Sequence, residues 1–241
     1  MWDQSPAPLS AKKYQPMTTS LMSILNAHIA RDRALVCTDT LLWLEGDSDP
    51  GAYRHGSKAF VLAHANAVCA GRGSHLALLT IWASLAALPA SDFDSLAGAF
   101  TPALGEAAFG LHAKWRADQG IPAELPAAAA GMSALLVGWS EAAGRMVGIK
   151  LNRCPDSHEW TMRHSDAWGP WTCAPWEPEL GPSVPPLSTV EEMLDCAAQQ
   201  LKWSVDNAHP ASLSSRVVLT ELERDRMTIS RRLLVPGIGW C

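Results

Sequence analysis

Residues 17–40 read MTTSLMSILNAHIARDRALVCTDT and contain two apolar runs on either side of the charged turn Arg31-Asp32-Arg33. The runs extend from Thr19 to Ile29 and from Ala34 to Leu44, lengths that suit two paired strands. Taken alone, the pattern fits an ordinary edge hairpin. It fits equally well the first hairpin of a catalytic site with a hydroxyl nucleophile near Thr18. The rest of the chain has to decide between the two.

Composition sets the general class of the protein. The chain has 241 residues, 18% of them charged, and a net charge of −5, values typical of a globular domain with a substantial core. Basic residues are nowhere dense enough to predict a nucleic-acid surface, and no apolar stretch is long enough to predict a membrane span. The six cysteines form no Cys-x-x-Cys pair, and the N-terminus lacks the apolar core of a secretion signal. We therefore expect a cytoplasmic protein that contacts neither nucleic acid nor membrane.

Hairpins alternate with helices along the chain. Ser74–Leu88 and Ser91–Asp118 have helical patterns, and Pro102 predicts a break in the second. Six further segments pair as three hairpins, and the capping box Ser188-Thr189-Val190-Glu191 predicts a helix to about Asn207. The hairpin segments are 58–62 with 65–70, 133–138 with 145–151, and 216–222 with 227–234. Strand pairs separated by helix pairs favour antiparallel sheets covered by helices over a parallel βαβ sheet.

Two stretches stand apart from this pattern. Residues 1–17 are rich in Pro, Ser, Lys and Gln, so we expect a flexible tail or a propeptide. Residues 152–187 are rich in Pro and Trp, so we expect an irregular insertion in a single domain that covers residues 18–241.

The order of local motifs resembles that of the proteasome-like N-terminal-nucleophile hydrolases, over about residues 18–234. The resemblance implies an α+β fold, a four-layer αββα sandwich in which two antiparallel sheets lie between helices. It also implies a cytoplasmic homo-oligomer that needs no cofactor. The matching motifs are Thr18-Thr19-Ser20-Leu21, Val36-Cys37-Thr38-Asp39-Thr40, His55-Gly56-Ser57-Lys58, Ala70-Gly71-Arg72-Gly73-Ser74, the hairpin of 134–149 and the helix of 188–202.

The resemblance also implies a catalytic mechanism for peptide or small amide substrates. In such hydrolases a chain-terminal hydroxyl attacks an amide carbonyl, and the α-amine, whose pKa lies near neutrality, acts as general base. Matched by motif, Thr18 would be the nucleophile, Lys58 would lower the pKa of its hydroxyl, and Asp39 would orient Lys58. The backbone N–H of Gly71 would stabilise the oxyanion.

The identity of the nucleophile stays open at this point among Thr18, Thr19 and Ser23. Thr18 becomes terminal only if residues 1–17 are removed or if translation begins at Met17 and that Met is cleaved off. The interval from Thr18 to Asp39 is five residues longer than the one in the family, whereas the interval from Ser23 to Asp39 fits without a gap. Ser23, however, follows Met22 and requires a different cleavage. A hairpin lengthened at Thr18 is the alternative.

Two other readings belong to different functional classes. A non-catalytic relative of the same fold would serve in assembly or binding. A zinc module would use Cys154, Asp156, His158, His164 and Cys173, although their spacing matches no metal motif, so we expect no metal site.

Overall fold

The computed structural model describes residues 23–42, 54–120, 131–165, 168–173, 187–206 and 214–234. The helices are α1 (His75–Ala86), α2 (Phe93–Ala99), α3 (Pro102–Asp118) and α4 (Val190–Asp206). The strands are β1 (Leu25–Ile29), β2 (Arg33–Asp39), β3 (Leu41–Leu42), β4 (Arg54–His55), β5 (Ala59–Leu62), β6 (Ala67–Arg72), β7 (Met132–Ser140), β8 (Arg145–Arg153), β9 (Trp160–Ser165), β10 (Trp168–Cys173), β11 (Arg216–Glu223) and β12 (Arg226–Leu233).

Two five-stranded antiparallel sheets form the centre of the fold. The first has the order β10-β1-β2-β11-β12 and the second the order β5-β6-β7-β8-β9. The expected first hairpin is present, with Leu25 opposite Thr38 and Ile29 opposite Ala34. Its second strand ends at Asp39 rather than at Leu44, because β3 pairs with β4 in a separate two-stranded sheet.

Three apolar layers hold the elements together. The middle layer lies between the sheets and includes Ala27 and Val36 from the first sheet and Val68 and Leu135 from the second. Helices α1, α2 and α3 pack on the outer face of the second sheet, and α4 packs on the outer face of the first. The predicted four-layer αββα sandwich is therefore confirmed.

Helix caps explain several boundaries. Asp92 accepts a hydrogen bond from the N–H of Ser95 at the start of α2, and Thr101 caps α3 immediately before Pro102. The predicted capping box of α4 lies one residue later than expected. It consists of Thr189 and Glu192, which exchange hydrogen bonds with each other's backbone N–H groups.

The expectation that residues 152–187 are irregular is wrong for the part that forms β9 and β10. β9 pairs with β8 at one edge of the second sheet, and β10 pairs with β1 at one edge of the first. An edge strand needs only one side of its backbone for pairing, which is why a strand containing Pro170 is tolerated there. The predicted tail at residues 1–17 lies outside the described residues.

Candidate active site

Ser23, Asp39 and Lys58 meet where the first sheet approaches the second. Ser23 precedes β1, Asp39 ends β2, and Lys58 precedes β5. The Lys58 Nζ atom lies 2.9 Å from the Ser23 Oγ atom and 2.9 Å from each carboxylate oxygen of Asp39. Asp39 is 0% exposed, Lys58 6% and Ser23 7%. The ammonium–carboxylate pair is thus shielded from water, where a charge interaction is stronger than at the surface.

The Asp39 carboxylate is held by backbone groups as well as by Lys58. The N–H of Ile24 donates to Oδ1 at 2.9 Å, and the N–H of Leu41 donates to Oδ2 at 3.1 Å. Burial raises the pKa of Asp39, while the Lys58 charge and the two amide donors act in the opposite direction. Both carboxylate oxygens are therefore fixed, and so is the direction in which they hold the ammonium group.

A count of protons sets the direction of the hydrogen bonds around Lys58 Nζ. An ammonium has three N–H donors, and three oxygens surround Lys58 Nζ at hydrogen-bond distance. Ser23 Oγ is therefore an acceptor from Lys58, which leaves the Ser23 hydroxyl proton available for donation to another group. An ammonium that donates three hydrogen bonds has no lone pair with which to accept a further proton.

Gly71 lies in β6, next to this group. Its N–H donates to the carbonyl oxygen of Lys58 at 2.9 Å, so Gly71 fixes the backbone that carries the ammonium group. A Cβ atom at Gly71 would lie 2.7 Å from the carbonyl oxygen of Ser133 and 2.7 Å from a methyl carbon of Leu78. An oxyanion that takes the N–H of Gly71 would have to displace the Lys58 carbonyl, and the predicted oxyanion role of Gly71 stays a prediction.

The predicted nucleophile Thr18 lies outside the described residues. The side chain beside Lys58 is instead that of Ser23, the residue that the spacing from Asp39 had raised as an alternative. The sequence indicates this position through the interval between Ser23 and Asp39. Because β1 and β2 pair in a fixed register, residues separated by that interval lie close together.

Sequence reasoning missed a second polar group, which we name the Thr40 cluster and which consists of Thr40, His55 and Ser214. Thr40 Oγ1 lies 2.9 Å from His55 Nδ1 and 3.3 Å from Ser214 Oγ. Thr40 and Ser214 are buried, whereas His55 is exposed. Thr40 and Ser214 are 174 positions apart, and nothing in their local sequence marks them as partners.

His75, at the start of α1, contacts the backbone that leads into Lys58. Its Nε2 atom is 3.0 Å from the carbonyl oxygen of Ser57, the residue before Lys58. Burial lowers the pKa of His75, the Ser57 carbonyl opposes that effect, and the Lys58 charge adds to it. The segment that leads into Lys58 is thus tied to α1 as well as to the Thr40 cluster.

Within the described residues, no three His, Cys, Asp or Glu side chains come close enough together to hold a metal ion. Cys154, Asp156 and His158 share one turn after β8, and His164 lies in β9.

Comparison with solved structures identifies the fold. The chain is similar to Anbu from Hyphomicrobium sp. strain MC1, with a TM-score of 0.51, 10% identity, and coverage of 89% of this chain and 88% of that one. It is also similar to a Gly-1 mutant of the same protein, with a TM-score of 0.53, 9% identity and the same coverage. Anbu is a proteasome-like N-terminal-nucleophile hydrolase. The chain has the proteasome-like fold.

At this level of identity, the proteasome-like likeness concerns the fold alone. No family model matches the chain, and no curated protein matches it. None of the helices in the described part of the chain combines the length and the apolar character needed to cross a membrane.

Proposed function

We propose that this chain is the precursor of an amide-bond or peptide-bond hydrolase whose nucleophile is Ser23. Cleavage of the bond between Met22 and Ser23 would make Ser23 the first residue of the mature protein. The observation that carries the proposal is the 2.9 Å contact of Lys58 Nζ with both Ser23 Oγ and the Asp39 carboxylate. The shared fold with Anbu supports it.

The proposed reaction has two halves. The Ser23 Oγ atom attacks the substrate carbonyl carbon, and the freed α-amine of Ser23 takes the hydroxyl proton, directly or through water. That proton passes to the leaving amine as the carbon–nitrogen bond breaks, which leaves an ester on Ser23. Water then attacks the ester, the α-amine accepts a proton from it, and the hydroxyl is regenerated as the acid product leaves.

The surroundings of Lys58 support the proposed need for cleavage. Its N–H donors are engaged by Asp39 and Ser23, so Lys58 stabilises negative charge that develops on the Ser23 oxygen but does not take its proton. In the uncleaved chain the Ser23 nitrogen belongs to a peptide bond and has no basic lone pair. Removal of residues 1–22 supplies the missing base.

Ser23→Ala tests the proposal. We expect protein purified from cells to begin at Ser23 and to react once per chain with a peptide epoxyketone, a reagent that bonds to both a hydroxyl and the adjacent amine. Ser23→Ala removes the hydroxyl and abolishes the labelling, whereas Ser23→Thr retains both groups and is labelled. Intact-mass spectrometry measures the N-terminus and the adduct together.

Thr18→Ala is the matched control, and it separates the two candidate nucleophiles. If Ser23 is the nucleophile, Thr18→Ala is processed and labelled like the original chain. A mature chain that begins at Thr18, with labelling lost in Thr18→Ala and kept in Ser23→Ala, would overturn the assignment to Ser23 in favour of Thr18.

A non-catalytic subunit is the second candidate, and burial of the site favours it. Ser23, Lys58 and Asp39 satisfy one another's hydrogen bonds in the uncleaved chain, as a purely structural ion-pair network does. A cell-derived chain that retains residues 1–22 and resists the epoxyketone would establish this candidate. In both cases we propose a homo-oligomer, which light scattering of the purified protein tests.

A further inference from the structure

Residues 40–57 connect Asp39 to Lys58, and both ends of this connection lie at the site. The two ends of the connection are joined by β3 and β4, which pair Leu41 with His55. The N–H of Gly56 also donates to the carbonyl oxygen of Thr40 at 2.9 Å. The distance between the Asp39 carboxylate and the Lys58 ammonium therefore depends on the contacts that hold the two ends of this connection together.

The Thr40 cluster adds side-chain contacts between the two ends of the connection. The N–H of Arg216 donates to Ser214 Oγ at 2.9 Å, and Ser214 Oγ lies 3.3 Å from Thr40 Oγ1. Thr40 Oγ1 in turn lies 2.9 Å from His55 Nδ1. Thr40 Oγ1 also lies 3.3 Å from the carbonyl oxygen of Arg216. The Thr40 hydroxyl therefore donates either to that carbonyl or to His55 Nδ1, and the Ser214 hydroxyl can donate to Thr40, so each hydroxyl proton has an acceptor.

These contacts connect three parts of the site to one strand. Thr40 directly follows Asp39, His55 precedes Lys58 by three residues, and Ser214 precedes β11. The N–H of Thr40 is also bonded to the carbonyl oxygen of Arg216 at 3.1 Å. β11 pairs with every residue of β2, from Arg33 to Asp39, so it provides a rigid reference for both Asp39 and Lys58.

We propose that Thr40, His55 and Ser214 are positioning residues that set the Lys58 ammonium against Ser23. The inference rests on the proposed function, since its consequence is the reactivity of Ser23. Loss of the cluster keeps the side chains of Lys58 and Asp39 themselves unchanged, but it widens the range of positions that the Lys58 ammonium occupies. A displacement of about 1 Å at a reacting group lowers a rate by roughly a hundredfold.

Thr40→Val tests the inference because it removes the hydroxyl and keeps the shape of the side chain. In the processed protein we expect the maximal rate of epoxyketone modification, kinact, to fall by about ten- to a hundredfold. The concentration constant KI should stay within about twofold, because the cluster does not contact the reagent. Thr40→Ser restores the hydroxyl and should recover most of kinact. Thr80→Val is the matched control, since the Thr80 hydroxyl donates to the Leu76 carbonyl within α1, away from Lys58.

A second variant and a second measurement keep the test independent of folding and of activity. His55 is exposed, so His55→Ala is expected to fold and to lower kinact as Thr40→Val does. The amide of Leu41, which donates to Asp39, should exchange its hydrogen at least about tenfold faster in both variants than in the parent chain.

The outcomes separate the inference from the proposed function. A parent chain that does not react with the epoxyketone overturns the function, and Leu41 exchange then still tests the positioning. A parent chain that reacts, with Thr40→Val and His55→Ala reacting at the same kinact and with unchanged Leu41 exchange, overturns the inference. Equal losses of kinact in Thr40→Val and Thr80→Val would also overturn it.

Discussion

The Lys58–Asp39 pair is the residue-scale feature with the largest expected effect on stability. Both groups are buried, and each fills hydrogen-bonding positions of the other. Lys58→Met keeps the length of the side chain and removes its charge, which leaves the Asp39 carboxylate buried without a counterion. We expect the free energy of unfolding to fall by about 3–5 kcal/mol, measured by urea denaturation.

Asp39→Asn combined with Lys58→Met separates this charge effect from packing. With both charges removed, the double variant should be more stable than Lys58→Met alone. A single variant that loses less than about 1 kcal/mol would show that the pair has the small effect of a surface ion pair.

At the scale of elements, Gly71 determines how closely β6, β7 and α1 approach one another. Gly71→Ala places a methyl group 2.7 Å from the backbone oxygen of Ser133, an atom that side-chain rotation does not move. We expect a loss of about 1–3 kcal/mol in the free energy of unfolding, measured by urea denaturation. If the Lys58 carbonyl shifts with β6, labelling of Ser23 slows as well.

Gly110→Ala is the control for this substitution. Gly110 lies in α3 with nothing within 4 Å of an added Cβ, so alanine there should be neutral or stabilise the chain by up to about 1 kcal/mol. Equal losses for the two substitutions would rule out close packing as the reason for Gly71.

Local patterns predicted most of these elements, for identifiable reasons. β2 is apolar on both faces because it lies between the second sheet and α4, and such a run is recognisable in sequence. Asp92 and Thr101 signal helix starts through hydrogen bonds to residues three positions later. The sequence does not predict β9 and β10, because they are edge strands in which Pro170 and three tryptophans obscure the alternation.

The candidate site was predictable only in part, because some of its contacts join residues that are far apart in the sequence. Ser23 and Asp39 lie at the same end of the paired strands β1 and β2, so the interval between them carries information. Lys58 leads into β5 of the other sheet and meets Asp39 across the sandwich. The Thr40 cluster depends on Ser214, which comes to Thr40 only through the pairing of β11 with β2. No local pattern encodes a contact of that kind.

At the scale of the whole molecule, buried and half-buried imidazoles predict how the free energy of unfolding depends on pH. Burial lowers the pKa of His28, His75 and His112 below the ordinary value of 6.5. Below pH 6.5 the unfolded chain therefore binds protons that the folded chain does not accept, and stability decreases as the pH falls. His112, which is 6% exposed and bonded to Ser74, contributes at most about 1.4 kcal/mol per pH unit.

Urea denaturation at pH 7.5 and at pH 5.5 checks this expectation. The free energy of unfolding should be lower at pH 5.5, and the difference should shrink in His112→Gln, which cannot be protonated. Stability that is equal at both pH values, or a difference unchanged in His112→Gln, would contradict the assignment.

The position of the ion pair between the two sheets has a consequence for redesign. Asp39 belongs to the first sheet and Lys58 leads into the second, so the charges that the proposed chemistry uses also fasten the halves of the sandwich together. Ser23 adds a single hydrogen bond to that fastening. The proposed nucleophile is therefore the interchangeable part: we expect threonine or cysteine to replace serine there at small structural cost, whereas removal of one charge of the pair costs about 3–5 kcal/mol.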